Sequence, residues 1–219
     1  MDIDQSLLDL WDGFPDVEVR DKVLSCAEAL ADRDFGVVPV PTASEANKII
    51  LGLIDRRNPV YFWEAAALDQ LGILETLQAR GNSVKRVVPL LKARRPWRRW
   101  VIPRGAIYLS TVCAVTSDGM LVKVEPEGLP VFQPKSGPRL MLLVAGFNSI
   151  VDGLADGFRR AKDVCVPHCA ARVGLELPCA RDELCVECAE PPPLCSVNTV
   201  ITHRPSEPDI KVILIGERV

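Results

Sequence analysis

The spacing of apolar residues along the first half of the chain alternates between the period of a helix and that of a strand. Segment 16–36 has apolar residues three and four positions apart and ends in a glycine. Segment 42–57 opens with Thr42 and Glu45 in the spacing of a capping box, and 64–81 has a third helical pattern. Short runs rich in valine and aromatic residues lie between them and predict strands, in "GVVPVP", "PVYFW" and "SVKRVVPLL".

The second half continues the alternation with more strongly apolar strands. Two extended runs, "AIYLSTVCAV" and "GMLVKVE", are separated by the turn "TSDG". "RLMLLVAG" is nearly all apolar, as in a strand of a parallel sheet that is buried on both faces. "NSIVDGLADGFRRAK" predicts an amphipathic helix that Asn148 or Ser149 can cap, and "NTVITH" and "IKVILIG" predict two closing strands. The whole pattern predicts a three-layer α/β domain with flanking helices.

Composition narrows the class of protein. The 219 residues are 48% hydrophobic and 25% charged, which is ordinary for a soluble globular protein with one large core. The formal net charge of -3 argues against a general nucleic-acid binder. The acidic start has no long apolar stretch, and no run approaches the roughly 20 apolar residues that a membrane-spanning helix needs. We therefore expect a cytoplasmic protein with no membrane partner, whose thiols are reduced.

Four of the eight cysteines follow one another closely near the C-terminus. Cys179, Cys185, Cys188 and Cys195 have the spacing C-x5-C-x2-C-x6-C. Four thiolates can hold zinc or an iron–sulfur cluster, although this spacing matches neither a zinc ribbon nor a ferredoxin. The alternatives are reduced structural thiols in a stiff loop, or a disulfide. The sequence leaves these interpretations open.

A basic segment with two tryptophans, "KARRPWRRW" at 92–100, is the other conspicuous feature. It can receive a phosphate, a CoA tail, a carboxylate or an acidic partner, or it can be a solvated connection. A further motif, "CVPHC" at 165–169, can add metal ligands or can simply begin a helix at Pro167.

Five segments of the chain resemble, in the same order, those of the LUD (lactate-utilisation) domain family. They are "STVCAVTSDGMLVKVE", "GPRLMLLVAGFNSIVDGLADGFRRAK", "VPHCAARVGLELPC", "CVEC" and "DIKVILIGE". The resemblance implies a single LUD-like domain over 1–219, with an N-terminal extension at 1–15 and a Cys-rich loop region at 165–196. It also implies a fold like that of the sugar-phosphate isomerase and CoA-transferase group, with a Rossmann-like, mostly parallel sheet.

The chain departs from the family at two polar positions, where cysteines replace asparagines. These are Cys113 and Cys169, which can form a nucleophilic or redox pair or can be small buried hydrophobes. We expect a ligand site at the carboxyl edge of the sheet. Its predicted residues are Thr116, Gly146, Asn148, Arg172 and Glu125.

Two classes of function follow from the resemblance. The first is an accessory or small-anion-binding protein of lactate or organic-acid utilisation. It would hold a small organic acid, a phosphate or an acyl-CoA, and it would act with iron–sulfur partner proteins. The second is an isomerase-like or transferase-like enzyme that acts on a sugar phosphate or an acyl-CoA.

Overall fold

The computed structural model describes residues 13–14, 16–63, 65–87, 102–125, 137–172, 174–182, 184–186, 188 and 194–219. Some of the predictions concern residues outside these ranges. These residues are most of the N-terminal extension, the basic segment 92–100 and parts of the Cys-rich loop region 165–196.

The described residues form ten strands. They are β1 (Gly36–Val40), β2 (Val60–Trp63), β3 (Val84–Val87), β4 (Ile107–Thr111), β5 (Ala114–Thr116), β6 (Leu121–Glu125), β7 (Leu140–Gly146), β8 (Ile150–Val151), β9 (Val197–Ile201) and β10 (Asp209–Ile215). The α-helices are α1 (Val17–Ala31), α2 (Ala43–Leu53), α3 (Ala66–Gln70), α4 (Ile73–Ala79), α5 (Leu154–Arg160), α6 (Val166–Arg172) and α7 (Pro178–Asp182). None of the described helices is long and apolar enough to cross a membrane.

Six strands make a parallel sheet in the order β1-β10-β7-β4-β2-β3. Alternate side chains of its central strands enter two separate apolar clusters. Tyr108 and Met141 pack on the side of α1, whereas Leu109 and Leu142 pack on the side of α2, α3 and α4. Because β7 is covered on both faces, all seven of its residues are buried. The predicted three-layer α/β architecture with a mostly parallel sheet is confirmed.

A smaller sheet, with strand order β8-β5-β6-β9, packs beside the main one. The predicted turn "TSDG" joins β5 and β6 as an antiparallel pair, and Gly119 in that turn has φ +85°. A Cβ at Gly119 would overlap the backbone of Ala29 in α1, so the position requires glycine. The run predicted as a single strand, "AIYLSTVCAV", instead divides between the two sheets. Cys113 lies at the break between β4 and β5.

The helix predicted from Asn148 begins later, at Leu154. A 3₁₀ turn (Phe147–Ser149) and β8 precede it, because Ile150 pairs with Val115 in the small sheet. A π-helical turn (Ala161–Cys165) then joins α5 to α6, and the N–H of Val166 donates to the carbonyl of Ala161. The wide turn directly precedes Pro167, which has no N–H and whose ring crowds the carbonyl four residues back. We call residues 154–172 the helical arm.

The third predicted helix is also interrupted. Gly72, at φ +59°, separates α3 from α4. The capping box at Thr42 is confirmed, since its hydroxyl accepts a hydrogen bond of 3.3 Å from the N–H of Glu45.

Candidate functional site

A cavity of about 240 Å³ lies where β2, β4 and β7 end. Trp63, Thr111 and Gly146 line it, and each is the last residue of its strand. Residues of the helical arm, among them Arg160 and Cys165, form the opposite wall. Open parallel sheets bind ligands at their carboxyl ends, so this cavity is the candidate site, and we call it the pocket.

The side chains that line the pocket carry positive charge. Lys123, Arg160 and Arg172 are among them, and the described lining residues include no Asp or Glu. Lys123 is only 4% exposed; its ammonium lies 2.9 Å from the Ser110 hydroxyl and 5.6 Å from the ring centre of Tyr108. An ammonium in this position lies next to an aromatic face, in an environment that favours an anionic neighbour.

Arg160 is the best-positioned of these cations. Its Nε donates to the carbonyl of Asn148 at 3.0 Å, and its Nη1 donates to the carbonyl of Cys113 and to Sγ of Cys165, the latter at 3.0 Å. No carboxylate of the described chain pairs with Arg160. Two neutral carbonyls fix the guanidinium in place without neutralising it, so its charge is available to the pocket.

Two thiols lie beside this guanidinium. Cys165 Sγ is 3.6 Å from the carbonyl oxygen of Cys113, and the two thiols also hydrogen-bond to each other. The hydrogen bond from Cys113, followed by the charge and the N–H of Arg160, lowers the pKa of Cys165 to about 7. Donation of that hydrogen bond to Cys165, together with burial, raises the pKa of Cys113 well above the usual value. The pair therefore consists of one thiolate-forming sulfur and one protonated sulfur.

Three of the five predicted ligand residues line the pocket, namely Gly146, Asn148 and Arg172. The amide of Asn148 already pairs with the backbone of Val219, donating at 3.3 Å and accepting at 3.4 Å. The Arg172 guanidinium forms an ion pair with Asp69. Both side chains therefore have protein partners that a ligand would share or displace.

The other two predicted residues are placed differently. Thr116 is fully buried away from the pocket, and its hydroxyl accepts from the N–H of Met120 at 2.8 Å and bonds to Asp118. The hydroxyl therefore stabilises the β5–β6 turn. Thr116 is not among the residues that line the pocket, so the pocket does not support a ligand contact there. Glu125 is the last residue of β6, and its side chain lies outside what the structure describes.

The Cys-rich region brings its thiols near one another, outside the pocket. Cys179 is buried in α7 against Val166, Ala170 and Leu194, and Cys188 and Cys195 pack on this cluster. Burial is the main cause that raises the pKa of both Cys179 and Cys195. In the described part of the chain, no three His, Cys, Asp or Glu side chains are arranged to hold a metal ion. Metal binding at the four cysteines stays a prediction.

Sequence reasoning missed Lys123, Arg160 and Cys165 as pocket residues. In the sequence, Arg160 is one of the basic residues near the end of the predicted amphipathic helix, where a cation simply suits the helix C-terminus. Its role depends on carbonyls 12 and 47 residues away along the chain. A signal for Lys123 is present in the sequence, since a basic residue interrupts the apolar run of the predicted strand "GMLVKVE".

Comparisons with known proteins find one matching family and two similar solved structures. A model of the LUD domain family matches residues 25–215. A search of curated proteins finds no match. Among solved structures, the chain is similar to a DUF162 family protein from Deinococcus radiodurans, with 12% identity and a TM-score of 0.47 over 91% of this chain and 99% of that one. It is less similar to eIF2B delta from Chaetomium thermophilum, with 9% identity and a TM-score of 0.33 over 64% and 54% of the two chains.

Proposed function

The chain belongs to the LUD domain family, and on that premise we propose that it is an accessory protein of lactate or other organic-acid utilisation. In this proposal, it binds a small organic anion in the pocket. The family supports the metabolic setting, and the chemistry of the pocket supports the class of ligand.

The observation that carries the proposal is the imbalance of charge. Three cationic side chains line the pocket, and the described lining residues include no Asp or Glu. Arg172 is paired with Asp69, so Arg160 is the pocket guanidinium without a carboxylate among its described contacts. A planar guanidinium that already donates through Nε and Nη1 can still offer N–H groups to one carboxylate.

The dimensions of the pocket favour a small ligand. Its volume of about 240 Å³ is below the roughly 300–1,000 Å³ of pockets that take drug-sized molecules. Trp63, Val112 and Val144 supply apolar walls beside the cations. A short hydroxy acid or keto acid has this combination of one carboxylate and a small carbon skeleton.

Isothermal titration with L-lactate tests the proposal. Lactamide is the matched control ligand, because it has nearly the same shape and no charge. We expect lactate to bind and lactamide not to bind. The titration belongs at about pH 6, below the pKa of about 7 of Cys165, so that a thiolate does not compete for Arg160.

Variants at two adjacent arginines show whether the pocket is the binding site. Arg160→Gln should weaken lactate about 10- to 100-fold, the equivalent of one charge-assisted hydrogen bond. Arg159→Gln is the control, since Arg159 is an exposed partner of Asp156 on the same helix. Arg172→Ala should have a smaller effect, because Asp69 already pairs with that charge. Equal binding of lactate and lactamide, or unchanged binding in Arg160→Gln, would contradict the proposal.

A further inference from the structure

Two neighbouring thiols line the pocket at the carboxyl ends of the strands, and they are capable of a second kind of chemistry. Cys113 lies at the break between β4 and β5, and Cys165 ends the π-helical turn of the helical arm. They are 52 residues apart in sequence, yet Cys165 Sγ is 3.6 Å from the carbonyl oxygen of Cys113. Both residues line the pocket, so a small molecule there can reach them.

The two sulfurs have different surroundings, and the difference favours thiol–disulfide exchange. Arg160 donates to Sγ of Cys165 at 3.0 Å, whereas its hydrogen bond to Cys113 is made to the backbone carbonyl. A guanidinium at that distance favours the thiolate, which is the nucleophilic form. Cys113 is largely buried, and its raised pKa keeps it protonated until a leaving group accepts its proton.

From this arrangement we propose that Cys165 and Cys113 form a redox-active dithiol, in which Cys165 attacks a low-molecular-weight disulfide and Cys113 resolves the product. The Cys165 thiolate attacks one sulfur of R–S–S–R, which forms a Cys165–S–S–R bond and releases R–S⁻. Cys113 passes its proton to R–S⁻ and attacks Sγ of Cys165, which releases the second R–S⁻. The protein dithiol is oxidised to a disulfide, and the small disulfide is reduced to one thiol and one thiolate, which takes its proton from water.

The proposal differs from the pairing that the sequence suggested. Cys169 also lines the pocket, one helical turn after Cys165. Cys165, however, is the residue that contacts both Arg160 and Cys113. Cys169→Ser is therefore the matched control for Cys165→Ser, as a pocket cysteine on the same helix.

The test treats reduced protein with bis(2-hydroxyethyl) disulfide, a small neutral probe, and then blocks free thiols and maps disulfides by mass spectrometry. Trypsin should release Cys113 in peptide 105–123 and both Cys165 and Cys169 in peptide 163–172. We expect these two peptides to be cross-linked in the wild type and in Cys169→Ser, but not in Cys165→Ser. Cys113→Ser should stop at a mixed disulfide on Cys165.

Wild-type protein alone gives a second measurement if a variant fails to fold. Early in the reaction, fragment ions of peptide 163–172 should place the 2-hydroxyethylthio group on Cys165. The proposal is overturned if that group lies first on Cys169, if the first disulfide joins cysteines of the 179–195 region, or if folded Cys113→Ser accumulates no mixed disulfide.

Discussion

The protein contains two groups of neighbouring thiols, and their surroundings give them opposite properties. In the pocket, the pKa of Cys165 is lowered to about 7. In the Cys-rich region, the pKa values of Cys179 and Cys195 are raised. Both groups have sulfur next to sulfur. In the pocket, however, Cys165 accepts a hydrogen bond from Cys113, which is the largest cause of its lowered pKa, and the Arg160 guanidinium, 3.0 Å from its Sγ, lowers that pKa further.

The Cys-rich group is surrounded mainly by apolar side chains. Cys179 packs on Val166, Ala170 and Leu194, where burial disfavours a thiolate. A cation is present near Cys195, since Lys162 favours its thiolate, but this is the weakest of the causes that act on it. The conspicuous cysteine spacing therefore belongs to the less acidic thiols. The more acidic thiol occurs in the inconspicuous motif "CVPHC".

The largest expected difference between the two groups is in alkylation rate. About half of Cys165 is thiolate at pH 7, given its pKa of about 7. A thiol whose pKa lies above about 8.5 is only a few per cent thiolate or less at that pH. Cys165 should therefore react with iodoacetamide at least ~15-fold faster than Cys179 or Cys195, measured by mass spectrometry of native protein at pH 7. Equal rates would remove the distinction between the groups.

Cys26 is an internal reference for the same experiment. Burial raises its pKa to about 12, so it should be the slowest cysteine to react while the protein remains folded. The rate for Cys165 should rise with pH through about 7 and then level off, because its thiolate is complete. The rate for Cys195 should continue to rise at higher pH.

The next effect concerns the two cations that distinguish the groups. Arg160→Gln removes the charge and the N–H donor at Cys165, so the midpoint of its alkylation profile should move up by about one pH unit, and its rate at pH 7 should fall ~5-fold. Lys162→Gln is the reciprocal control. It removes the charge that favours the Cys195 thiolate and should leave the Cys165 profile unchanged.

Arg160→Lys separates charge from geometry. It keeps a cation but loses the fork that donates to Asn148, Cys113 and Cys165 together. We expect an intermediate midpoint for Cys165. If Arg160→Gln leaves the profile unchanged in a folded protein, Arg160 does not set the acidity of this thiol.

The fold was predictable because its signals are local. The period of apolar residues gave the main strands and helices, and the long apolar run of β7 indicated a parallel sheet buried on both faces. Thr42 and Glu45 marked a helix start that depends on residues three apart. The wrong boundaries lie where a distant partner overrides the local pattern. Ile150, for example, pairs with Val115 in the small sheet and does not join the predicted helix.

For the site, the sequence predicts a location and little of the chemistry. The rule for parallel sheets predicts a ligand site at the carboxyl edge, and the pocket that Gly146 and Asn148 line lies at that edge, while ligand binding there stays a prediction. Its chemistry depends on the break that places Cys113 between two sheets and on the π-helical turn that ends at Cys165. No short stretch of sequence shows that these elements meet, because each obtains its partner from another part of the chain.

The smallest expected effect concerns the role of the Cys-rich region. As a member of a small apolar cluster, Cys179 should behave as a buried hydrophobe, so Cys179→Ala should lower the free energy of unfolding by about 1 kcal/mol. Cys185 is half-buried and belongs to no such cluster among the described residues, so Cys185→Ser should cost less than ~0.5 kcal/mol. Neither value should change when a chelator is added, as measured by denaturant unfolding of protein purified without oxygen.

Elemental analysis of the same preparation tests the alternative, in which the four cysteines bind a metal. Zinc or iron near one equivalent or more per chain, with stability that falls on chelation, would show that the four cysteines are ligands. Cys185→Ser would then cost several kcal/mol, because the binding free energy of the ion would be lost with its ligand.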